Sequence, residues 1–473
     1  MIDKKKLYQT IEENAPEIIA LSDAIWGYAE LSMEEHQSAA YYCDLLEKEG
    51  FTVEQKLCGI PTAFSGTYGS GSPRIGILGE FDALSGLSQV AGSTQKQSLV
   101  PGGNGHGCGH NLLGAASFGA ALAIKKAIEA GTLQGTVIFY GCPGEEGCAG
   151  KTFMARDGLF RDLDAAITWH PGSTNEITVC SNAACMQVEY SFHGVASHAA
   201  GSPDKGRSAL DAAELMHVGV QFLREHMPPR SSVHYSFTDA GGVSPNVVQP
   251  EAKTVFMVRS ETVSKAKELL QRVNNIAQGA ALMTDTQVTT RQIDGTASTL
   301  PNEALGQVMF ENMQQVSVPE YTQEELAFAQ ALHDTCPAAL PGILTASNPE
   351  IRALVEEKTD GGKRAMNDFI FPYVPANLFS PGSTDVGDVS WLTPTAQFTT
   401  ATWVSGTPGH SWQNVSLGKT SIAYKGMLQA AKILAGTAAD LMEQPALLEK
   451  IRTEFNRTAA AGYDCPIGKE VTF

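Results

Sequence analysis

A glycine-dense stretch from Gly102 to Gly114, GGNGHGCGHNLLG, carries Cys108 and His110 two residues apart. Alternate residues of an extended loop can direct a thiolate and an imidazole into one hollow, and glycines permit a tight backbone there. A zinc-like divalent ion prefers these two groups as ligands. Two ligands do not make a site, however, and a Cys-Gly-His triplet by itself more often marks a buried thiol beside a polar loop.

Other residue types that bind metals follow several strand-like segments. They are Glu80 and Asp82 after RIGIL, Glu145 and Glu146 after VIFYG, His170 after AAITW, and His410 after FTTATWV. Sites in open α/β sheets form at the carboxyl ends of strands, so we expect these side chains at one edge of a sheet. Each has an ordinary explanation alone, such as a solvated acidic turn for the adjacent glutamates. Their recurrence at successive strand ends instead predicts a metal site.

Two adjacent glutamates can divide the work of hydrolysis between them. One can bind a metal ion, while its neighbour takes a proton from a metal-bound water whose pKa the cation lowers towards neutrality, so that hydroxide becomes available. Cysteine, three histidines and one of the paired glutamates would make five ligands. That number, with both sulfur and carboxylate among them, exceeds what one tetrahedral ion needs. Two ions that share a bridging ligand fit better, and such pairs lie about 3.5–4 Å apart in hydrolases. The residues therefore predict metal-assisted hydrolysis.

The elements that must position these groups alternate between strand and helix patterns. We predict strands over residues 52–57, 63–68, 74–80, 136–140 and 164–169, and helices over 5–30, 32–50, 112–128 and 152–159. This alternation predicts an α/β sheet with helices on both faces. From about residue 184 the order becomes β-α-β-β-α-β, which is typical of a small α+β module.

The fold class predicted is therefore α/β with two domains. Residues 1–183 and 295–473 form the two parts of a catalytic domain, and residues 184–294 form a domain inserted between them. Residues 319–374 give no clear pattern.

Composition describes an ordinary globular chain and excludes some partners. The 473 residues are 43% hydrophobic and 18% charged, with a formal net charge of −18 that argues against nucleic acid or an anionic membrane as partner. No apolar run is long enough to span a bilayer, and the N-terminal segment is charged and amphipathic, unlike a secretory signal. Nine sparse cysteines do not suit a disulfide framework, so we expect a cytoplasmic protein.

Six motifs together resemble the metallopeptidase family of aminoacylases, indole-acetyl-amino-acid hydrolases and glutamate carboxypeptidases. They are GCGHN, GEEG, WHP, GVASHAAGSPDKG, GGVSPNVVQPEA and GTPGHS, and the resemblance covers essentially the whole chain in order and spacing. It implies a zinc-peptidase-like catalytic domain with an inserted ferredoxin-like domain that acts as lid and dimerisation module. The dinuclear metal ligands implied are Cys108, His110, Glu146, His170 and His410.

The resemblance also implies roles outside the ligand set. Glu145 would be the general base, and Asp82 would orient a ligand rather than bind metal. His198 would reach the active site of a partner subunit and hydrogen-bond the developing oxyanion, with Asn246 as a companion donor. Arg259 would hold the α-carboxylate of the substrate, a task that suits its planar fork.

The activity implied is cleavage of the amide bond of N-acyl or N-aroyl amino acids, above all p-aminobenzoyl-glutamate. It would use two divalent ions per chain, manganese or zinc, in a homodimer, and a further related subunit stays open. A dipeptidase or a general N-acyl-amino-acid acylase is the alternative within the class. A non-catalytic binding or scaffold protein and a structural-zinc protein are alternatives outside it, and the intact Glu145–Glu146 pair argues against the former.

Other sequence features do not lead to a functional assignment. GCAGKT ends like a phosphate-binding loop, but Glu145 stands where that loop requires glycine, so we reject a nucleotide site. The family's usual CGHD is CGHN here, and Asn111 puts in doubt a metal role for that position. The sequence assigns no role to Asp385 or Asp388.

Overall fold

The computed structural model describes residues 3–336, 346–375 and 378–473. The helices are α1 (Lys4–Glu13), α2 (Ala15–Tyr28), α3 (His36–Lys48), α4 (His110–Glu129), α5 (Gly150–Arg156), α6 (Ala209–Arg224), α7 (Val263–Thr284), α8 (Glu303–Val316), α9 (Gln323–His333), α10 (Pro349–Lys358), α11 (Val386–Ser390), α12 (Trp412–Leu417), α13 (Ser421–Glu443) and α14 (Pro445–Thr458). Residues 337–345, within the segment that gave no clear sequence pattern, lie outside the described residues.

The strands are β1 (Thr52–Gln55), β2 (Phe64–Ser70), β3 (Arg74–Gly79), β4 (Gly135–Gly141), β5 (Ala165–Gly172), β6 (Glu176–Ile177), β7 (Cys180–Asn182), β8 (Ala184–His193), β9 (Ser197–His198), β10 (Ser232–Asp239), β11 (Val247–Val248), β12 (Glu251–Ser260), β13 (Gln287–Thr296), β14 (Leu378–Ser380) and β15 (Thr395–Ala401). None of the described helices is long and apolar enough to cross a membrane.

The chain divides into two compact units. Unit 1 comprises Met1–Cys180, Leu300–Leu378 and Val389–Gly462, and unit 2 comprises Ser181–Thr299, Phe379–Asp388 and Tyr463–Phe473. From the sequence, residues 379–388 and 463–473 were expected in the catalytic domain, whereas the structure places both segments in unit 2.

Unit 1 is built on a seven-stranded mixed sheet in the order β1-β2-β4-β3-β5-β15-β6. Its central strands β4, β3, β5 and β15 run parallel, and the outer pairs are antiparallel. Strand β4 is buried at every residue and β3 at all but its first, as expected of parallel strands covered on both faces. The α/β class predicted from the sequence is confirmed.

Helix α4 begins earlier than the sequence indicated. Gly109 adopts φ +78°, and a Cβ there would lie 3.0 Å from the ring of Pro171, so both the backbone conformation and the limited space favour glycine. This residue ends the loop and lets the helix start at His110 instead of residue 112. His110 therefore lies in the first turn of a buried helix, not in an extended loop.

Unit 2 contains a four-stranded antiparallel sheet in the order β10-β12-β8-β13. Helices α6 and α7 pack against it and against each other, and the apolar side chains of these elements form one buried cluster. This order and connectivity are those of a ferredoxin-like β-α-β-β-α-β fold. A second, two-stranded sheet pairs β9 with β11.

The two remote segments join unit 2 through buried polar contacts. Asp388 is fully buried, and its carboxylate accepts hydrogen bonds from the backbone N–H of Ala297 at 2.9 Å and from the Tyr463 hydroxyl at 2.6 Å. The side chain of Gln292 donates to the carbonyl of Pro466 at 2.9 Å. A buried carboxylate needs such donors, which explains why both segments stay with this unit.

Candidate metal centre

The groups predicted to bind metal meet at one edge of the unit 1 sheet. Glu80 directly follows β3, the glutamate pair follows β4, His170 lies near the end of β5, and the loop with His410 follows β15. These four strands are adjacent and parallel, so their carboxyl ends share one edge. Cys108 comes to the same place from the loop before α4.

Three overlapping groups of side chains have ligand atoms within 4.8 Å of one another. They are Cys108 with His110 and His170, Cys108 with Glu146 and His410, and Glu80 with His110 and Glu145. The structure therefore brings together all five predicted ligands and the predicted general base.

Hydrogen bonds set the ring nitrogens of two histidines in the orientation that metal binding needs. Nδ1 of His110 lies 2.8 Å from Asp82, and Nδ1 of His170 lies 2.7 Å from the carbonyl of Pro171. Because these oxygens accept, each Nδ1 carries a hydrogen and Nε2 is the ring nitrogen left to bind a metal ion. Burial, and then the charge of His110, lower the pKa of His170 to about 4, which favours the neutral, ligating form.

Asp82 is hydrogen-bonded to three separate segments of the chain. Its buried carboxylate accepts hydrogen bonds from Ser32 Oγ at 2.8 Å, from His110 Nδ1 and from the Glu146 backbone N–H at 2.9 Å. Burial would raise the pKa of Asp82, but the hydrogen bond and charge of His110 lower it to about 2. These contacts support the orienting role that the family resemblance implies for this residue.

One buried acceptor fits the presence of a cation. Oε1 of Glu146 has no hydrogen-bond partner and lies 4.0 Å from His110 Nε2, which also lies 3.3 Å from Glu80 Oε2. A buried acceptor without a donor is costly, whereas a metal ion would bind its lone pair. Cys108 Sγ lies 3.4 Å from His170 Nε2, and thiolate, imidazole and carboxylate together suit zinc or a similar ion.

His410 is held differently from the other candidate ligands. Its side chain is 55% exposed, its backbone adopts φ +53°, and Nε2 lies 3.3 Å from Glu146 Oε2. A non-glycine residue in this region is strained and persists only where its surroundings hold it. The same loop is held at Ser405, whose N–H donates to the carbonyl of Ala365 at 2.7 Å and whose carbonyl lies 2.6 Å from His333 Nδ1. The segment that gave no sequence pattern thus supports this loop.

A buried ion pair beside the ligands was missed by the sequence analysis. Lys151 Nζ lies 2.8 Å from Glu80 Oε1, and both side chains are almost completely buried. The other oxygen of Glu80 lies 3.3 Å from His110 Nε2. Lys151 belongs to the GCAGKT stretch that we rejected as a nucleotide site, and a lysine within a buried, mostly apolar helix could have signalled a buried carboxylate partner.

Asn111 makes hydrogen bonds with other segments of unit 1. Its amide donates to Ser22 Oγ at 3.0 Å and to the carbonyl of Gly418 at 3.1 Å, which connects the start of α4 to two other segments of unit 1. The side-chain amide of Asn111 therefore contributes hydrogen bonds within unit 1.

The three remaining predicted residues lie in unit 2. His198 and Asn246 are neighbours, since His198 pairs with Val247 across the β9–β11 ladder, and both are exposed. Arg259 lies near the end of β12, where its guanidinium donates to the carbonyl of Pro381 at 3.2 Å.

Comparisons with known proteins identify the family and the fold. The model of peptidase family M20/M25/M40 matches residues 77–341. The chain is 44% identical over 470 residues to a subunit of the p-aminobenzoyl-glutamate hydrolase of Escherichia coli (strain K12), covering 98% of this chain and 97% of that protein. It is 29% identical over 466 residues to Xaa-Arg dipeptidase of Mus musculus, covering 96% and 92%. A dinuclear metal-binding M20 peptidase from Bacillus subtilis shares the fold, with a TM-score of 0.55 and 17% identity over 91% of this chain and 99% of that one.

Replacing Lys151 by methionine should destabilise the metal-free protein by about 3–5 kcal/mol, because Glu80 would keep a buried charge without its partner. Adding Glu80→Gln should recover much of that loss. Unfolding in urea measures both changes, and Lys419→Met, at an exposed lysine, is the control. Equal stability of the Lys151 variant and the wild type would contradict the importance of this ion pair.

Proposed function

This chain belongs to peptidase family M20/M25/M40, and we propose that it hydrolyses the amide bond of p-aminobenzoyl-glutamate. The observation that carries this proposal is the 44% identity, over nearly the full chain, to a relative that bears the name of this activity. The assembled groups around Cys108, Glu145 and Glu146 support a working catalytic site instead of a binding or scaffold protein.

The mechanism follows from the roles available to the side chains. Two divalent ions, held by the five predicted ligands, would lower the pKa of water and polarise the scissile carbonyl. Glu145 is half-buried, and its carboxylate lies with Glu80 and His110 in one group. It takes the proton from the attacking water and delivers it to the leaving amine nitrogen. Glu146, whose backbone is fixed by Asp82, contributes its carboxylate as a ligand.

His198 is prepared to donate a hydrogen bond. Its Nδ1 accepts from the backbone N–H groups of Ala200 at 3.2 Å and Gly201 at 3.0 Å, so the ring hydrogen lies on Nε2. An exposed N–H donor suits the oxyanion that develops on the substrate. Asn246 lies beside it as the companion donor, and Arg259 would bind the glutamate carboxylate.

Distance within unit 2 favours two copies of the chain at each site. Asn246 precedes the start of β12 and Arg259 lies near its end, eight residues after Glu251. At about 3.3 Å per residue, β12 separates the backbones of Glu251 and Arg259 by roughly 26 Å. A small amide substrate is much shorter than this strand, and Asn246 precedes the end of β12 that is remote from Arg259. We infer that His198 and Asn246 of one copy act with Arg259 of another.

The edge strand β10 offers a surface for the second copy. Tyr235 and Phe237 on β10 are 38% and 41% exposed, and Val218 and Phe222 on α6 are 53% and 73% exposed. The ring of His217 stacks beneath Tyr235 at 4.0 Å between centroids, which holds the apolar surface in place. Two β10 strands pairing about a two-fold axis would join the sheets and bury these side chains.

Further parts of the proposal concern the metal, the compartment and other partners. Cysteine and histidine ligands favour zinc, and the carboxylates also suit manganese. All nine cysteines are free thiols, which supports a reducing compartment such as the cytoplasm. The bacterial relative is named as a subunit, so a second, related chain is a candidate partner. The 29% identity to a dipeptidase makes dipeptide cleavage the second candidate function.

The function is tested by metal analysis combined with a substrate panel. We expect about two metal ions per chain, hydrolysis of p-aminobenzoyl-glutamate, loss of activity on chelation and recovery with manganese or zinc. Benzoyl- and acetyl-amino acids and Xaa-Arg dipeptides serve as comparison substrates. Preferential cleavage of dipeptides would establish the second candidate, and a protein that binds no metal would refute both.

Replacing Glu145 by glutamine should lower turnover by about 10²–10⁴-fold, because the amide cannot take a proton from water. Its metal content should stay at the wild-type value. Glu146→Gln is the matched variant, and it should lose metal as well as activity. Steady-state kinetics and elemental analysis separate the two roles, and an active Glu145→Gln enzyme would refute the assignment of the general base.

Charges placed on the proposed interface should produce an inactive monomer. We expect light scattering to show a dimer for the wild type and a folded monomer for Phe222→Glu combined with Phe237→Glu. Activity should fall at least in proportion to the dimer lost, because His198 acts in the partner's site. Leu282→Glu, at an exposed position on α7, is the control. A fully active wild-type monomer would rule out shared sites.

A further inference from the structure

Glu35 is a buried carboxylate that the mechanism does not use. It directly precedes α3, its side chain belongs to a residue with no exposed surface, and both oxygens are hydrogen-bonded. Oε2 accepts from Thr62 Oγ1 at 2.9 Å, and Oε1 accepts from the backbone N–H of Gly144 at 2.8 Å. Burial, and then the charge of Asp82, raise the pKa of Glu35 to about 8. An ionisable group is therefore kept where it is costly to bury.

The contact with Gly144 places Glu35 at the base of the catalytic loop. Gly144 comes immediately before Glu145 and Glu146 and adopts φ +71°. A Cβ on Gly144 would lie 3.0 Å from Met33 Cε, so the backbone there is packed against the same turn that carries Glu35. The start of the loop is thus fixed by van der Waals contact and by one hydrogen bond.

The turn before α3 also touches the other side of the site. Ser32 Oγ donates to Asp82 at 2.8 Å, and the N–H of Ala83 donates to the carbonyl of Glu30 at 2.8 Å. Residues 30–35 therefore contact both the segment after β3 and the loop after β4. These contacts hold the segments that follow β3 and β4 at a fixed separation.

We propose that Glu35 is a positioning residue, which holds the Gly144 amide so that the carboxylates of Glu145 and Glu146 keep their places. The inference rests on the proposed function, in which Glu145 moves protons and Glu146 binds metal. Loss of the hydrogen bond would leave a buried N–H without an acceptor and free the loop to shift. Misplacement of reacting groups by about 1 Å can cost 10²-fold in rate.

Variants of Glu35 can distinguish a role in hydrogen bonding from a role in packing. In Glu35→Gln, the amide oxygen can accept from Gly144 while the amide N–H donates to Thr62, whose hydroxyl also accepts. Glu35→Met fills a similar volume but accepts no hydrogen bond. Thr62→Val removes the second partner and leaves the bond to Gly144. Glu34→Gln, at the exposed neighbouring residue, is the control.

We expect kcat of Glu35→Met to fall about 10–100-fold with KM within about threefold, because the substrate contacts lie elsewhere. Glu35→Gln, Thr62→Val and Glu34→Gln should stay within about threefold of the wild type. Hydrogen–deuterium exchange of residues 143–149, measured before metal is added, should be faster in Glu35→Met and unchanged in Glu35→Gln. Rescue by glutamine is an effect that a general loss of stability would not produce.

Wild-type exchange and kcat in Glu35→Met would overturn the proposal, as would equal losses in the glutamine and methionine variants. If Glu35→Met does not fold, Glu35→Gln decides alone: wild-type exchange and rate support the hydrogen bond, and their loss refutes it. If the wild type cleaves no member of the substrate panel, the proposed function fails, whereas the exchange comparison still tests Glu35.

Discussion

The buried carboxylate of Asp82 is the interaction on which the candidate metal centre depends. It accepts hydrogen bonds from Ser32, from the ring of His110 and from the backbone of Glu146, which lie far apart in the chain. Leaving any of these donors or the carboxylate unsatisfied in the interior would be costly. The turn before α3, the first turn of α4 and the loop after β4 therefore cannot shift independently. A rigid constellation of ligands follows from one well-satisfied buried charge.

The charges around this residue explain why the site suits cations. Asp82 faces His110, and Glu80 is paired with Lys151, so these two carboxylates have partners within the chain. Glu146 Oε1 is left as a buried acceptor without a hydrogen-bond donor. A site that balances its inner carboxylates and leaves such an acceptor unsatisfied is arranged for a positive ion. The chain's net charge of −18 is compatible with an anionic substrate, because local cations can dominate the field at a site.

One candidate ligand, His410, depends on a part of unit 1 whose sequence was uninformative. His410 has strained backbone geometry and a half-exposed ring, and its loop is held through Ser405 by Ala365 and His333. Apolar residues of α9 pack with Trp403 and Val404 in a separate small core. The loop is thus packed against and hydrogen-bonded to residues that are remote in sequence. Such contacts have no local periodicity, which is why the segment gave no pattern.

The amino-acid pattern alone is enough to predict the fold class and to place candidate metal-binding residue types after successive strands. Buried parallel strands and ligand-rich loops leave local signals, because apolar runs and glycine-bounded histidines are visible in short windows. The folded structure was needed to pair Lys151 with Glu80, to bring Glu35 to the Gly144 amide and to place residues 379–388 and 463–473 in unit 2. Each of these depends on burial, since a charged side chain reads as solvated in the sequence until the fold removes it from water and gives it a partner.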